Sequence, residues 1–99
     1  MQYFNERLPC PKCGEKNETR MRARFIPKEE SPFTDTDDIV QARCFVDCGC
    51  GCAFDRCKEY KVFGVSDDTT EEQIEDIMRR ICRAYYEEKR KEQHEDSKF

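Results

Sequence analysis

Three features of this 99-residue sequence predict a small α+β domain: short antiparallel strands held at a cluster of cysteines and closed by a C-terminal amphipathic helix. Eight cysteines fall in a chain without tryptophan that is 36% hydrophobic and 40% charged, too short and polar to build a large core without a staple. Two stretches alternate apolar and polar residues with the period of a half-buried strand. One late stretch repeats apolar residues with the period of a helix.

Leu8-Pro9-Cys10-Pro11-Lys12-Cys13-Gly14 places two thiols two residues apart. That spacing lets a tight turn present both sulfurs to one tetrahedral ion at ~2.3 Å. Pro11 pre-sets φ for the turn, and Gly14 can adopt the left-handed conformation that often follows such a cysteine. One knuckle supplies two ligands, so a second pair must come from Cys44, Cys48, Cys50 and Cys52, none of which repeats the two-residue spacing. Cys44 with Cys48 is the expected pair: the strand Ile39–Cys44 would place Cys44 at its end, and Gly49 follows Cys48 as Gly14 follows Cys13. Cys50 and Cys52 are the reserve ligands, because Gly51 follows Cys50 by the same rule. The expected cofactor is one structural Zn²⁺, the four thiolates leaving no open coordination position. Disulfides are the competing reading of an even cysteine count. Met-Gln-Tyr-Phe-Asn-Glu-Arg at the start has no apolar signal region, so the cytoplasm is expected, where paired thiols serve metals. No apolar run approaches membrane-spanning length.

In chain order, residues 1–9 are expected to pack over the knuckle as a short lead-in through Tyr3, Phe4 and Leu8. From Thr19 to Ile26, Arg20, Arg22 and Arg24 alternate with Met21, Ala23 and Phe25, a strand with one apolar and one basic face. Pro27 to Asp38 carries one base against five acids, Glu29, Glu30, Asp35, Asp37 and Asp38, and reads as an acidic insertion. Ile39 to Cys44 alternates again. The chain then extends from Cys52 to Phe63 with Phe54, Tyr60, Val62 and Phe63 as core candidates, and Gly64 closes it. Thr70 with Gln73, or Thr69 with Glu72, has capping-box spacing. Ile74, Ile77, Met78, Ile81, Cys82 and Tyr85 then form one helical stripe, with a dimer seam as the alternative to a core-facing role. Cys57 and Cys82 read as small buried hydrophobes. The whole is one domain: a ribbon to residue 64 with its insertion at about 27–38, a helix over 65–90, and a charged tail over 91–99 that frays.

The motifs LPCPKCG and TTEEQIEDIMRRI, with a second cysteine cluster behind a strand, resemble the small zinc-ribbon proteins of the restriction-alleviation (Lar) type over residues 8–82. Those proteins carry CPxCG, a later VxCxxCG and a helix beginning T-x-E-E-A-I-x-x-W-N. Here the second knuckle is irregular, Ile77-Met78 replaces Trp-Asn, and the spacer and helix are longer. The resemblance implies a phage or prophage accessory protein that modulates a host defence or nucleic-acid enzyme by protein contact.

Charge separates the function classes. The net charge is −4, and the acidic insertion accounts for it, so strong nonspecific affinity for nucleic acid is not expected. Enzyme readings are poor: the only histidine is His94 in the tail, and no phosphate-cradling glycine loop is present. A binding module for a host protein, with Glu29, Glu30, Asp35, Asp37 and Asp38 as its contact, is the reading carried forward. Its alternative is a nucleic-acid-binding ribbon using Arg20, Arg22, Arg24 and Arg43.

Overall fold

Residues 2–30 and 38–95 are described by the computed structural model, as β1 (Gln2–Leu8), β2 (Thr19–Ile26), β3 (Asp38–Asp47), β4 (Ala53–Val62) and α1 (Glu71–Glu95). The strands form one antiparallel sheet in the order β1-β2-β3-β4, a simple meander. In a meander, alternate connections leave from the same end of the sheet. Leu8, Thr19, Val46 and Phe54 share a row there, so the loop after β1 and the loop after β3 emerge side by side. Both loops carry cysteines. The acidic segment between β2 and β3 leaves from the opposite end.

Period-2 alternation gives the sheet two unlike faces. Phe4, Met21, Ala23, Phe25, Val40, Ala42, Cys44, Val46 and Val62 are buried, and α1 packs on them with buried Met78, Cys82, Tyr85 and Tyr86. Ile74, Ile77 and Ile81 flank this seam, half-buried against the same core, so the helical stripe packs on the sheet. Thr70 and Gln73 form the reciprocal cap: the Gln73 amide N–H donates to Thr70 Oγ1 at 3.2 Å, and the Thr70 N–H to Gln73 Oε1 at 2.9 Å. Gln2 Nε2 donates to the Glu71 carbonyl at 2.7 Å, tying the start of β1 to the start of α1. Further along, Arg83 pairs with Glu6 and Lys58 with Glu88, while Tyr60 meets Tyr85 edge to face at 6.3 Å. The helix therefore begins at the acidic end of the sheet and runs back over the cysteine end. None of the described helices is long and apolar enough to cross a membrane.

Several expectations change. Residues 2–8 are not a lead-in but an edge strand, whose period-2 signal is masked by Glu6 on the helix-facing side, where Arg83 meets it. β3 runs past Cys44 to Asp47. Phe63 is 77% exposed, because β4 ends at Val62 and the chain turns away from the core. Cys57 is exposed on the face opposite the helix, and only Cys82 of that pair is a buried hydrophobe. The helix also continues through residues 91–95. Asp35 and Asp37 lie outside the described residues.

Candidate functional site

The two cysteine loops are built alike. In the first, the Cys10 N–H donates to the Glu15 carbonyl at 2.8 Å and the Gly14 N–H to the Cys10 carbonyl at 2.9 Å. In the second, the Cys48 N–H donates to the Cys52 carbonyl at 3.0 Å and the Gly51 N–H to the Cys48 carbonyl at 3.1 Å. Each bond spans one residue fewer in the second loop. Its cysteines are accordingly separated by one intervening residue rather than two, and each loop reverses at a glycine with positive φ, 81° at Gly14 and 99° at Gly51.

Four sulfurs converge between the loops. Those of Cys10, Cys13, Cys48 and Cys50 all lie within 4.8 Å of one another, with Cys13 to Cys48 at 3.5 Å and Cys10 to Cys50 at 3.7 Å. A disulfide would need about 2.05 Å. A tetrahedral ion with sulfurs at ~2.3 Å needs edges of about 3.8 Å, so this donor set fits a four-thiolate metal. Cys10 and Cys48 form the buried half and Cys13 and Cys50 the exposed half. Of the ligands assigned from sequence, Cys10, Cys13 and Cys48 are in the group, and Cys50 of the reserve pair joins them. Cys44 is fully buried on the helix-facing side of β3, outside the group. Cys52 is also outside it and buried, with its thiol pushed up to about 11 by burial and by the nearby Cys10.

The chain supports the first loop from below. Pro9 offers its carbonyl to two donors, Thr19 Oγ1 at 2.9 Å and the Tyr86 hydroxyl at 2.7 Å, so β2 and α1 both hold the residue that precedes Cys10. Burial would raise the Cys10 thiol, but N–H groups of Cys13 and Lys12 outweigh it and bring it down to about 6. The Lys12 amide sits 3.4 Å from that sulfur. At Cys48 a Cys50 N–H favours the thiolate, yet burial and the neighbouring sulfurs push the thiol up to about 12. The Cys10 thiolate forms readily while Cys13 and Cys48 resist, since close like charges cannot ionise together without a compensating cation. A divalent ion supplies that compensation. By contrast, Cys44 and Cys82 are raised to about 12 chiefly by burial among apolar groups.

The basic candidates lie on the sheet face that α1 does not cover. Arg20, Arg22 and Arg24 project there from β2, joined in register by Arg7 from β1 and Arg43 from β3. Arg7 stands directly opposite Arg20, and Arg22 directly opposite Arg43. Arg43 holds Asp55 through two bonds, which keeps the Asp55 carboxyl below its ordinary range, and Arg24 donates to Gln41 Oε1 at 2.7 Å. Arg7, Arg20 and Arg22 have no acidic partner among the described residues. The acidic candidates are at the far end: Glu29 and Glu30 are exposed, and Asp38 accepts the Lys28 N–H at 2.9 Å. No family model matches this chain, and no match is found among curated proteins or solved structures. The Lar-type resemblance rests on its motifs alone.

Proposed function

We propose that this chain is a non-enzymatic binding module: a zinc ribbon in which Cys10, Cys13, Cys48 and Cys50 hold one structural Zn²⁺, displaying the uncovered sheet face to an anionic partner. The observation that carries the binding reading is the pair of like-charge oppositions, Arg7 with Arg20 and Arg22 with Arg43. Like charges directly across an antiparallel pair destabilise it, and of these four arginines only Arg43 has an acidic partner in the fold, Asp55. A cost in stability at one face is what a binding surface leaves behind. Four thiolates with no open position give the metal a structural role, which leaves the arginine face as the working surface.

The test compares the metal-loaded protein with an Arg20→Ser/Arg22→Ser variant on immobilised heparin. The variant is expected to elute at clearly lower salt while melting no earlier than the parent, because it relieves repulsion. Co-elution of the two would overturn the reading. A second reading, contact between exposed Glu29 and Glu30 and a basic host protein, draws on their position at the end of the sheet away from the metal. It would gain if the heparin result failed while a Glu29→Gln/Glu30→Gln variant lost a host partner in a pull-down.

A further inference from the structure

Resting on that reading, we infer that the anionic partner is a single-stranded nucleic acid laid across the sheet along β2. Arg20, Arg22 and Arg24 stand two residues apart on one strand, so their side chains leave the sheet about 6.8 Å apart. That is roughly the spacing of successive phosphates along an extended single strand. The residue type also fits, since a guanidinium fork meets phosphate oxygens in pairs where an ammonium offers a point charge. Arg7 widens the basic row on the β1 side, while Arg43 on the β3 side is shared with Asp55, and a groove of about 740 Å³ crosses the same face between Tyr3, Asn5, Arg22, Arg24, Arg43 and Asp55.

Bases require something else, and the face supplies it. Tyr3 is 65% exposed in register with Arg24, and Phe45 is half-buried in register with Arg20. A solvent-facing ring on an otherwise polar sheet is a stacking platform for an unpaired base. A duplex hides its bases from such a surface, and an acidic peptide gains nothing from stacking. The chain's net charge of −4 does not oppose this. Open-face positions hold six bases (Arg7, Arg20, Arg22, Arg24, Arg43, Lys61) against three acids (Asp47, Asp55, Glu59), and charges farther away than about 10 Å are largely screened.

The experiment uses the metal-loaded full chain and fluorescence anisotropy with fluorescein-labelled 12-residue oligo(dT) and oligo(U), a duplex of the same length, and polyglutamate. Both single strands are expected to bind more tightly than the duplex or polyglutamate. The slope of log K against log salt should be about −2 to −3, three to four phosphate contacts at about −0.7 each. Arg20→Ser/Arg22→Ser should reduce that slope by about 1.4, two such contacts. Tyr3→Thr keeps a strand-forming residue, so it should weaken single-strand binding on the order of tenfold with the slope unchanged and the fold intact by circular dichroism. Equal binding of polyglutamate or duplex, or indifference to Tyr3→Thr, overturns the nucleic-acid inference while the anion-binding module stands. Failure of heparin and oligonucleotide together removes both.

Discussion

The two cysteine loops do the same work with different lengths. The first leaves two residues between Cys10 and Cys13 and closes on Glu15; the second leaves one between Cys48 and Cys50 and closes on Cys52. What they share is the residue after the outer cysteine, a glycine at positive φ that lets the chain reverse while the sulfur points inward. Spacing is thus the variable part of the device and the cysteine-glycine reversal the constant part. The second loop joins adjacent strands β3 and β4 by a short hairpin, which leaves room for only the tighter turn.

The largest expected effects break the sulfur set. Cys50→Ser and Cys13→Ser should each release the metal and melt the cysteine end of the sheet, because a structural zinc contributes on the order of 10 kcal/mol to small-domain folding. Cys52→Ser and Cys44→Ala should both retain one metal per chain. Cys44→Ala should cost only ~1–2 kcal/mol, as a small buried group lost from the core. Native mass spectrometry of the four proteins purified under reducing conditions checks this. Metal retained in Cys50→Ser but lost in Cys44→Ala would restore the pairing of Cys44 with Cys48.

Why the sequence led to Cys44 is instructive. The period of β3 was visible from Ile39 to Cys44, but Val40, Ala42, Cys44 and Val46 continue one apolar alternation, and that places Cys44 on the helix-facing side as a core residue. A ligand at the end of a strand and a core residue within one look alike until the strand's true end is known. Strand β2 was legible because its two faces are chemically opposite, and the helix because its cap and its stripe agree. Edge strand β1 was not, since Glu6 on the inner side breaks the alternation and only its distant partner Arg83 makes sense of it. Exposure of Phe63 and Cys57 was hidden for the same kind of reason: it depends on where β4 ends and which face the helix covers.

An intermediate effect sharpens the comparison at the glycines. An added Cβ at Gly14 or Gly51 would meet nothing within 4 Å, so an alanine there suffers only from its backbone conformation. That cost is about 1–2 kcal/mol. Gly51, at φ 99°, lies farther from the left-handed well near 57° than Gly14 does at 81°. Gly51→Ala should therefore destabilise more than Gly14→Ala, and Asn, which tolerates the left-handed region, should recover more of the loss at position 14 than at 51. Thermal melts of the four metal-loaded variants decide it; equal losses at the two positions would mean that the loops relax and their φ values do not control their stability.

The smallest effect concerns the support that only the first loop receives. Tyr86 reaches from α1 to the Pro9 carbonyl at 2.7 Å, and Thr19 reaches the same oxygen at 2.9 Å. Tyr86→Phe removes one of two donors and leaves the ring in the core, so the carbonyl is not orphaned and no cavity opens. The expected cost is then the net value of a single hydrogen bond, about 0.5–1.5 kcal/mol, without the larger penalty of an unsatisfied group. Its consequence should be local: metal transfer to a chelator should quicken several-fold, since the segment preceding Cys10 is freer to open. Thr19 is fully buried, and the isosteric Thr19→Val removes the other donor to the same carbonyl. The double variant leaves that oxygen with neither, so it should cost more than the sum of the two single changes. Strict additivity would show that the Pro9 carbonyl finds water instead, and that the helix does not brace the metal loop.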